Sequence, residues 1–370
     1  MKRNQNVWQN FDFLLFGAAL ILSILGIALI RSSIAGNITL IDHPQRQAIF
    51  LVISLVVLFI VAAFDYKYWI TLIPPMYLVT LGFLLFVFTA EARFGSVRWL
   101  ELGTILIQPA EIAKIVTILA LANFFANNYQ TANKLGTIMR SGLLVGGLII
   151  WIFLQPNLST TIVLLIIWAS ILWITGIKLK FILIAVGIVL LVLLIGAATG
   201  FSFLADYQRN RITNFLFPDP DASYGETYNV EQALITIGTG GWVGQGYNQS
   251  TQIQFRFLKV RHTDFIFSVL AAEFGFAGTV LVMALLVLIV IRCIRIAQNA
   301  PDLFGSLIAY GFGILIFFQS IVNIGVNINV IPVTGLTLPF VSYGGSSLLS
   351  LMLGIGMVES VAMRSVKKPE

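Results

Sequence analysis

The stretch 264–292 reads DFIFSVLAAEFGFAGTVLVMALLVLIVIR and contains only three charged residues. A helix that crosses the hydrocarbon core of a bilayer needs about 20 mostly apolar residues, and this stretch exceeds that length. Asp264 stands at its start, and Glu273 lies nine residues further along. The pattern predicts a transmembrane helix that carries two carboxylates where charge is costly.

The rest of the chain repeats this apolar pattern nine times. The sequence therefore predicts an all-α, polytopic membrane protein with ten transmembrane helices in a single integral membrane domain covering 1–370. One long extracytoplasmic loop, about 201–263, separates the seventh helix from the eighth, and Gln155-Pro156-Asn157 predicts a tight hairpin between the fifth and sixth. The spans lie near 11–31, 46–64, 69–90, 109–127, 141–155, 157–176, 180–200, 264–292, 303–327 and 340–363.

Composition excludes the soluble classes of protein. Hydrophobic residues make up 58% of the 370 residues and charged residues 10%, against about 25% charged in an ordinary soluble domain. Mean hydropathy is +0.94, so membrane lipids are the predicted surroundings. The single cysteine and two histidines exclude a disulfide framework and a metal site built from Cys or His. No basic cluster with interleaved aromatics indicates a nucleic-acid partner.

The positions of lysine and arginine predict the orientation in the membrane. With a cytoplasmic N-terminus, 12 of the 22 basic residues fall on short cytoplasmic segments. Lys2 and Arg3 precede a first helix that is too long for a cleaved signal peptide, which predicts a retained anchor. Both termini are therefore predicted to be cytoplasmic, and the long loop is predicted to face outward.

Within the long loop, Val230, Ala233, Leu234 and Ile237 recur at helical spacing. This spacing predicts an amphipathic helix lying on the membrane surface. The glycines that follow lack the strand–helix context of a dinucleotide fingerprint. We interpret them as flexible turns: Gly238, Gly240, Gly241, Gly244 and Gly246.

Ionisable residues at membrane depth are candidates for function. Glu111 and Lys114, at the start of the fourth helix, are three residues apart, so they share a helix face and can pair. Two interpretations stay open. The pair either fastens two helices without a further role or lines a polar cavity that opens to the outer leaflet.

Asp264 also has two interpretations. It is either the N-cap of the eighth helix, where its charge complements the helix dipole, or a general base whose pKa is moved by partial burial at the membrane boundary.

Glu273 is expected to point into the bundle near its cytoplasmic half. Asn323 and Asn327 share one face of the ninth helix, and these residues suit either packing or function. No role is assigned to His262.

The stretch 331–340, IPVTGLTLPF, is uncharged and contains two prolines and a glycine, and SYGGSS follows at 342–347. Non-helical backbone at membrane depth is tolerated only when it is buried in protein or lines a cavity. Its amides are suitable donors for an anionic head group. Ser342, Gly344 and Gly345 are therefore candidate substrate-binding residues.

Taken in order, these residues resemble the SEDS family of membrane glycosyltransferases (shape, elongation, division and sporulation), which has RodA and FtsW branches. The resemblance covers nearly the whole chain. It rests on the ten predicted helices, RWLELG at 98–103, QPAE at 108–111, RHTDFIF at 261–267 and the closing stretch through Ser347. The sequence TQIQF at 251–255, with Arg261 before His262, resembles the RodA branch more closely.

Two positions depart from the family pattern. Asn157 stands where the family usually has Asp, so an acidic role at this position is lost. Asn329 stands where a small or different residue is usual, and it is expected only to perturb a turn. Neither departure involves Asp264.

The resemblance implies polymerisation of lipid II, an undecaprenyl-pyrophosphate-linked disaccharide, at the outer face of the bacterial plasma membrane for elongation and cell shape. It also implies a class B penicillin-binding protein as partner, which cross-links the glycan strands. Asp264 would take the proton of the acceptor 4-hydroxyl, and cations would stabilise the pyrophosphate leaving group. A divalent cation (Mg²⁺ or Mn²⁺) at an unidentified site is a candidate cofactor. The remaining substrate-binding candidates are Glu111, Lys114, Arg46, Arg98, Arg211 and Asn157.

Two alternative functions stay open. A lipid II flippase would use the same polar cavity without chemistry, although the position of Asp264 at the outer face instead of the midplane favours an enzyme. A scaffold that only recruits the partner would need neither Lys114 nor Asp264.

Overall fold

The computed structural model describes residues 7–34, 36–89, 98–102, 105–177, 206–218 and 225–365, together with positions 181 and 187. Its helices are α1 Phe13–Ile34, α2 His43–Ala63, α3 Trp69–Phe86, α4 Pro109–Asn128, α5 Leu135–Leu154, α6 Leu158–Ile174, α7 Asp206–Leu216, α8 Glu226–Thr239, α9 Thr251–Gln254, α10 Ile266–Gln298, α11 Leu303–Asn327 and α12 Gly345–Arg364. A short antiparallel pair, β1 Leu100–Leu102 with β2 Ile105–Ile107, precedes α4.

In the described part of the chain, eight helices are long and apolar enough to cross a membrane, and α6 is a shorter apolar helix of 17 residues. These nine helices match nine of the predicted spans, and the span predicted near 180–200 lies outside the described residues except for positions 181 and 187. The prediction of an all-α, multi-pass membrane protein is confirmed, while the count of ten spans stays a prediction. The last helix begins at Gly345 and not near 340, because the backbone before it is not helical.

Charged residues mark one end of the bundle. Arg292, near the end of α10, binds the carboxylate of Asp12 just before α1, and the Asp12 amide donates to Glu359 Oε2 of α12 (2.9 Å). Asp264 comes just before the first turn of α10 and Arg292 lies near its last turn, so Asp264 lies at the opposite end of the bundle. We call these the Arg292 end and the Asp264 end.

The helices α4 and α12 form the centre of the bundle, because most of their residues are buried, whereas most residues of α2 are not. Close approach between helices depends on small residues. A Cβ added to Gly356 of α12 would lie only 2.7 Å from Leu58 O of α2. This central position buries the polar residues that α4 and α12 carry.

The helix α10 has two parts separated at Gly275, where φ is 65° and ψ is −164°. Ile266 to Glu273 are all buried, whereas Phe276, just past the break, is 56% exposed. Glu273 points into the bundle as predicted. It bonds Ser32 at the end of α1 and the Asn248 amide of the long loop, so it lies in the half of the bundle nearer Asp264, and its expected place near the cytoplasmic half stays a prediction.

The amphipathic helix predicted in the long loop is present as α8. Ala233 is fully buried, and Val230 and Ile237 pack against the core, while Leu234 is 40% exposed. The interpretation of the following glycines as flexible turns is wrong. Residues 240–246, which we call the glycine loop, lie tightly against the break in α10, since a Cβ on Gly244 would overlap Glu273 O.

At the Arg292 end, Asp302 is the N-cap of α11. Its carboxylate accepts hydrogen bonds from the Gly305 amide (2.9 Å) and the Tyr66 hydroxyl (2.8 Å), and it pairs with Lys67 (3.2 Å). Partial burial works against its charged form, but the bonds from Gly305, Tyr66 and Lys67 outweigh burial and lower the pKa of Asp302. One carboxylate thus joins the start of α11 to the turn before α3.

We expect Asp302→Ala to lower stability in detergent by about 0.5–2 kcal/mol, the usual cost of losing an N-cap. Because the folded-state pKa is lowered, the ionised carboxylate stabilises the protein above its unfolded pKa of about 3.9, and this contribution is lost as the pH falls through the folded pKa. Thermal unfolding of the parent and Asp302→Ala at pH 7 and pH 3 measures both effects. Equal melting temperatures at pH 7 would contradict the role assigned to the cap.

Candidate active site around Asp264

Asp264 lies in the turn immediately before α10. The helix begins at Ile266 with Phe265 as its N-cap residue and without a side-chain capping bond, so the interpretation of Asp264 as the N-cap is wrong. Its main-chain carbonyl accepts the side-chain amides of Asn323 (3.0 Å) and Asn327 (2.9 Å) on α11. The residue is thus held through its backbone, which leaves its carboxylate available for chemistry.

The surroundings of Asp264 alter its acidity. Burial raises the pKa of Asp264 to about 6; the Arg211 charge and a hydrogen bond from Thr263 oppose this rise, and the Glu226 charge adds to it. A carboxyl group with this pKa is still ionised at neutral pH but is more basic than an ordinary Asp, whose pKa is about 3.9. A general base works best when its pKa is near the working pH.

The stretch 331–344, which we call the closing segment, is non-helical as predicted and passes beside Asp264. A Cβ added to Gly335 would lie 3.9 Å from Asp264 Oδ2. Ser342 Oγ donates to Thr263 O (2.8 Å) and accepts the Leu338 amide (2.9 Å). Ser342 therefore fastens the closing segment to the turn that carries Asp264.

Two more elements meet the closing segment at the Thr334 carbonyl, and a third joins them through Arg211. This carbonyl accepts Arg211 Nη1 from α7 (3.3 Å) and Ser159 Oγ from α6. Arg211 Nε also binds Glu226 Oε1 of α8 (2.7 Å). Arg211 is a candidate because of its charge, and in the structure it also joins α7, α8 and the closing segment.

The predicted pair on α4 is present and buried. Lys114 Nζ donates to Glu111 Oε1 (2.7 Å), and Ser350 Oγ of α12 donates to Glu111 Oε2 (2.9 Å). Ser350 also bonds Ser347 O, and the Ser347 hydroxyl lies 3.2 Å from that of Thr337 in the closing segment. The pair is thus connected to the wall of the candidate site through α12.

Arg98 and Asn157 both stabilise the turn between α5 and α6, which is the tight hairpin that the sequence predicts. Arg98 Nε donates to Gln155 O (3.2 Å), and its Nη2 donates to Pro156 O. Asn157 is the N-cap of α6, where its side chain accepts the Thr160 amide (3.3 Å). Both candidates therefore contribute to the architecture beside Ser159.

The helix α2 supplies a polar contact that the sequence analysis missed. Gln47 Oε1 accepts the Gly344 amide (3.2 Å), and Gln47 Nε2 donates to Ser342 O (3.4 Å). Its signal was a polar side chain one turn inside an apolar helix. Gly345 faces Phe50 so closely that a Cβ would overlap the ring. Arg46, one residue before Gln47, is exposed and makes no side-chain hydrogen bond or ion pair within the described residues.

The two histidines of the chain meet at this end of the bundle. The rings of His43 and His262 are 5.5 Å apart, and the Tyr343 ring lies 4.3 Å from His43. Burial, followed by the His43 and Arg261 charges, lowers the pKa of His262 to about 4. His262 is therefore neutral at neutral pH and supplies no positive charge to the site.

A pocket of about 290 Å³ adjoins Arg211, and Asp264 is not among its lining residues. Asn329, in a left-handed turn with φ of 57°, contributes to its wall, so this departure from the family pattern sits in a turn as predicted. Residues of α7, α8 and the closing segment also line the pocket, among them Asn214, Glu226, Val230, Leu234, Pro332 and Val333.

The fold and the site define a multi-pass membrane protein with an ionisable carboxylate and paired charges at one end of its bundle. The chain belongs to the FtsW/RodA/SpoVE family, whose model, described as "Cell cycle protein", matches residues 11–367. This result confirms the resemblance to the SEDS family.

Individual relatives agree with the family assignment. The probable peptidoglycan glycosyltransferase FtsW of Coxiella burnetii is 37% identical over 86% of this chain and 85% of its own. The peptidoglycan glycosyltransferase MrdB of Escherichia coli K12 is 36% identical over 87% and 86%. A chain from a structure described as "Structural coordination of polymerization and crosslinking by a peptidoglycan synthase complex" has a TM-score of 0.80 at 30% identity and covers 95% of this chain and 97% of that one. The closer resemblance to the RodA branch stays a prediction.

For the buried pair, we expect Glu111→Ala or Lys114→Ala to lower stability by about 3–5 kcal/mol, because each leaves a buried charge without its partner. Replacing both residues with apolar side chains of similar size, as in Glu111→Leu/Lys114→Met, should recover most of the stability. Thermal unfolding in detergent measures these changes.

The double variant also separates the two interpretations of the pair. If the pair shapes the cavity, the stable double variant stays inactive in glycan synthesis. An active double variant would show that the pair only fastens helices.

Proposed function

We infer that the protein is a peptidoglycan glycosyltransferase, and we propose that it polymerises lipid II with Asp264 as the general base. The family membership and the names of the relatives support the activity. The observation that carries the base assignment is the position of Asp264. Its backbone is fixed by Asn323 and Asn327, while its carboxylate faces the closing segment and has a raised pKa.

In the proposed reaction, the acceptor 4-hydroxyl oxygen forms a bond to the anomeric carbon of the donor. The bond from that carbon to the pyrophosphate oxygen breaks, and the pyrophosphate leaves with the electron pair. Asp264 takes the hydroxyl proton as the oxygen attacks, because a sugar hydroxyl is a weak nucleophile until its proton is removed. Attack opposite the leaving group inverts the configuration.

Negative charge develops on the leaving pyrophosphate and is stabilised by positioned cations. We propose Arg46 and Arg211 for this role. Arg46 is exposed in the first turn of α2, and Arg211 lies near enough to Asp264 to affect the pKa of Asp264. Lys114 and Arg98 are engaged with Glu111 and with the α5–α6 turn, so we assign them the support of the cavity wall.

The candidate divalent cation has little support from side chains. Within the described residues, no group of three or more His, Cys, Asp or Glu side chains could hold a metal ion. Mg²⁺ commonly uses one or two carboxylates together with substrate phosphates. We therefore propose that Mg²⁺ or Mn²⁺ would be bound mainly by pyrophosphate oxygens, and no step of the mechanism depends on it.

We also propose that the Arg292 end faces the cytoplasm and that the Asp264 end faces outward, with both termini cytoplasmic. The short connections at the Arg292 end carry Lys67 and Lys134, and Arg295 and Arg364 lie near the ends of their helices, a distribution typical of cytoplasmic segments. Lipid II would then be used at the outer face. A class B penicillin-binding protein is the proposed partner, by analogy with the related chain in a synthase complex.

We expect Asp264→Asn to lower the initial rate of lipid II polymerisation by about 10²–10⁴-fold, the usual contribution of a general base. The assay uses purified protein with its partner and resolves glycan strands by length. The variant should keep its thermal stability and bind the partner, because the Asn323 and Asn327 bonds use only the backbone of residue 264. Full polymerisation by Asp264→Asn would remove the base assignment.

The pH dependence of the parent provides a second measurement. Because the base must be ionised, kcat/KM for lipid II should fall as the pH decreases below about 6, the pKa of Asp264 in the free protein. The same assay separates the enzyme from a flippase, which would move lipid II without producing polymer.

We expect Arg211→Ala to weaken lipid II use severely and Arg211→Lys to restore it only in part, because a guanidinium binds phosphate with two donors and an ammonium does not. Initial rates against lipid II concentration give KM and kcat for each variant. If Arg211 contacts only lipid head groups, worth about 1 kcal/mol, Lys would substitute fully.

Glu226→Gln is the matched control for Arg211. It weakens the ion pair but keeps the Arg211 side chain, so it should leave the use of lipid II intact or improve it. A loss equal to that of Arg211→Ala would show that the ion pair, and not phosphate binding, is what Arg211 provides.

A further inference from the structure

The break in α10 leaves backbone groups of the helix without their usual partners, and the glycine loop supplies replacements. The Gln245 and Gly246 amides donate to Ala272 O (2.8 Å) and Glu273 O (3.1 Å). In return, the Phe276 and Ala277 amides donate to Gly241 O (2.9 Å) and Trp242 O (3.1 Å). Four backbone hydrogen bonds therefore cross the break.

Side-chain size explains why glycines occupy this contact. A Cβ on Gly240 would overlap Ala271 O, and a Cβ on Gly275 would overlap the Gly244 amide. Gly244 and Gly275 also have positive φ values, 84° and 65°, which L side chains rarely adopt. The loop and the helix can approach this closely only without side chains at these positions.

Glu273 fixes the same contact from inside the bundle. Its Oε1 accepts the Asn248 amide (3.1 Å), just after the glycine loop, and the Ser32 hydroxyl from α1. The side chain is 99% buried, with 1% of its surface exposed. A buried carboxylate of this kind ties the long loop, α1 and α10 together.

The part of α10 that precedes the break, Ile266–Phe274, carries Asp264 just before its first turn. It is held at the Asp264 end by Asn323 and Asn327 and at the other end by the glycine loop. With about 1.5 Å of rise per residue, Glu273 lies roughly 14 Å from Asp264 along the helix. Asn323 and Asn327 bind only the Asp264 carbonyl, so a rotation of Ile266–Phe274 about this anchor still re-aims the carboxylate, and a displacement of about 1 Å can cost about 100-fold in rate.

We propose that the glycine loop and Glu273 are positioning elements for catalysis, which fix the orientation of Ile266–Phe274 and thereby aim the Asp264 carboxylate at the acceptor hydroxyl. This inference rests on the proposed role of Asp264. The loop touches neither substrate nor reacting atoms. Its contribution lies in the geometry of the base.

The test compares Gly244→Ala with Gly238→Ala. An added Cβ at Gly244 displaces the loop from Glu273 O, whereas Gly238, near the end of α8, has open space around its Cβ position and an ordinary φ. With the partner present, Gly244→Ala should lower kcat about 10- to 100-fold and change KM for lipid II less than about 2-fold, because substrate contacts are unaffected. Gly238→Ala should behave as the parent.

A second pair of variants addresses Glu273. Glu273→Gln keeps an oxygen that accepts the Asn248 and Ser32 bonds, so it should retain most of the parent kcat. Glu273→Ala removes both bonds and should reproduce the loss seen with Gly244→Ala. Rescue by Gln but not by Ala distinguishes the hydrogen bonds from the charge.

Thermal stability and partner binding are measured for all four variants. A folded Gly244→Ala with the parent kcat, or with only KM raised, would overturn the proposal, as would equal activity of Glu273→Ala and the parent. If Gly244→Ala and Glu273→Ala both fail to fold, the contact holds the whole bundle and positioning is rejected. Asp264→Asn is assayed in parallel: its full activity would reject the base assignment itself, whereas its inactivity beside an active Gly244→Ala would reject only the positioning role.

Discussion

The structure depends on one constraint, which is that peptide groups at membrane depth must find hydrogen-bond partners within the protein. Within the described residues, three non-helical places show how this is met: the α5–α6 turn, the break at Gly275 and the closing segment. Each is served by specific donors and acceptors from other elements. Arg98 serves the first, the glycine loop serves the second, and Asn323, Ser342 and Gln47 serve the third.

These contacts also build the site. Because Asn323 and Asn327 bind the Asp264 carbonyl and Ser342 binds the Thr263 carbonyl, the turn is fixed without using the carboxylate. The same packing removes water from the carboxylate and raises its pKa. The contacts that stabilise the non-helical backbone are therefore the same contacts that set the environment of the Asp264 carboxylate.

Two cations near the site, Lys114 and Arg211, are already paired with carboxylates of the protein. Lys114 is paired with Glu111, and Arg211 with Glu226, as expected where isolated charge is expensive. In the proposed function, an anionic pyrophosphate would compete with Glu226 for Arg211, while Arg46 would need no such exchange within the described residues. This arrangement favours binding of a group with more charge than a single carboxylate.

The sequence by itself determined the class of protein, the nine apolar helices among the described residues, the α5–α6 hairpin, the Glu111–Lys114 pair and the non-helical closing segment, because apolar run length and helical spacing are local properties. It also singled out Asp264. Only the tertiary structure decided that Asp264 is not a helix cap, that Gln47 and the paired asparagines hold the site, and that the glycines after α8 pack into a broken helix. These features depend on contacts between residues that are far apart in the sequence, and local sequence patterns do not reveal such contacts.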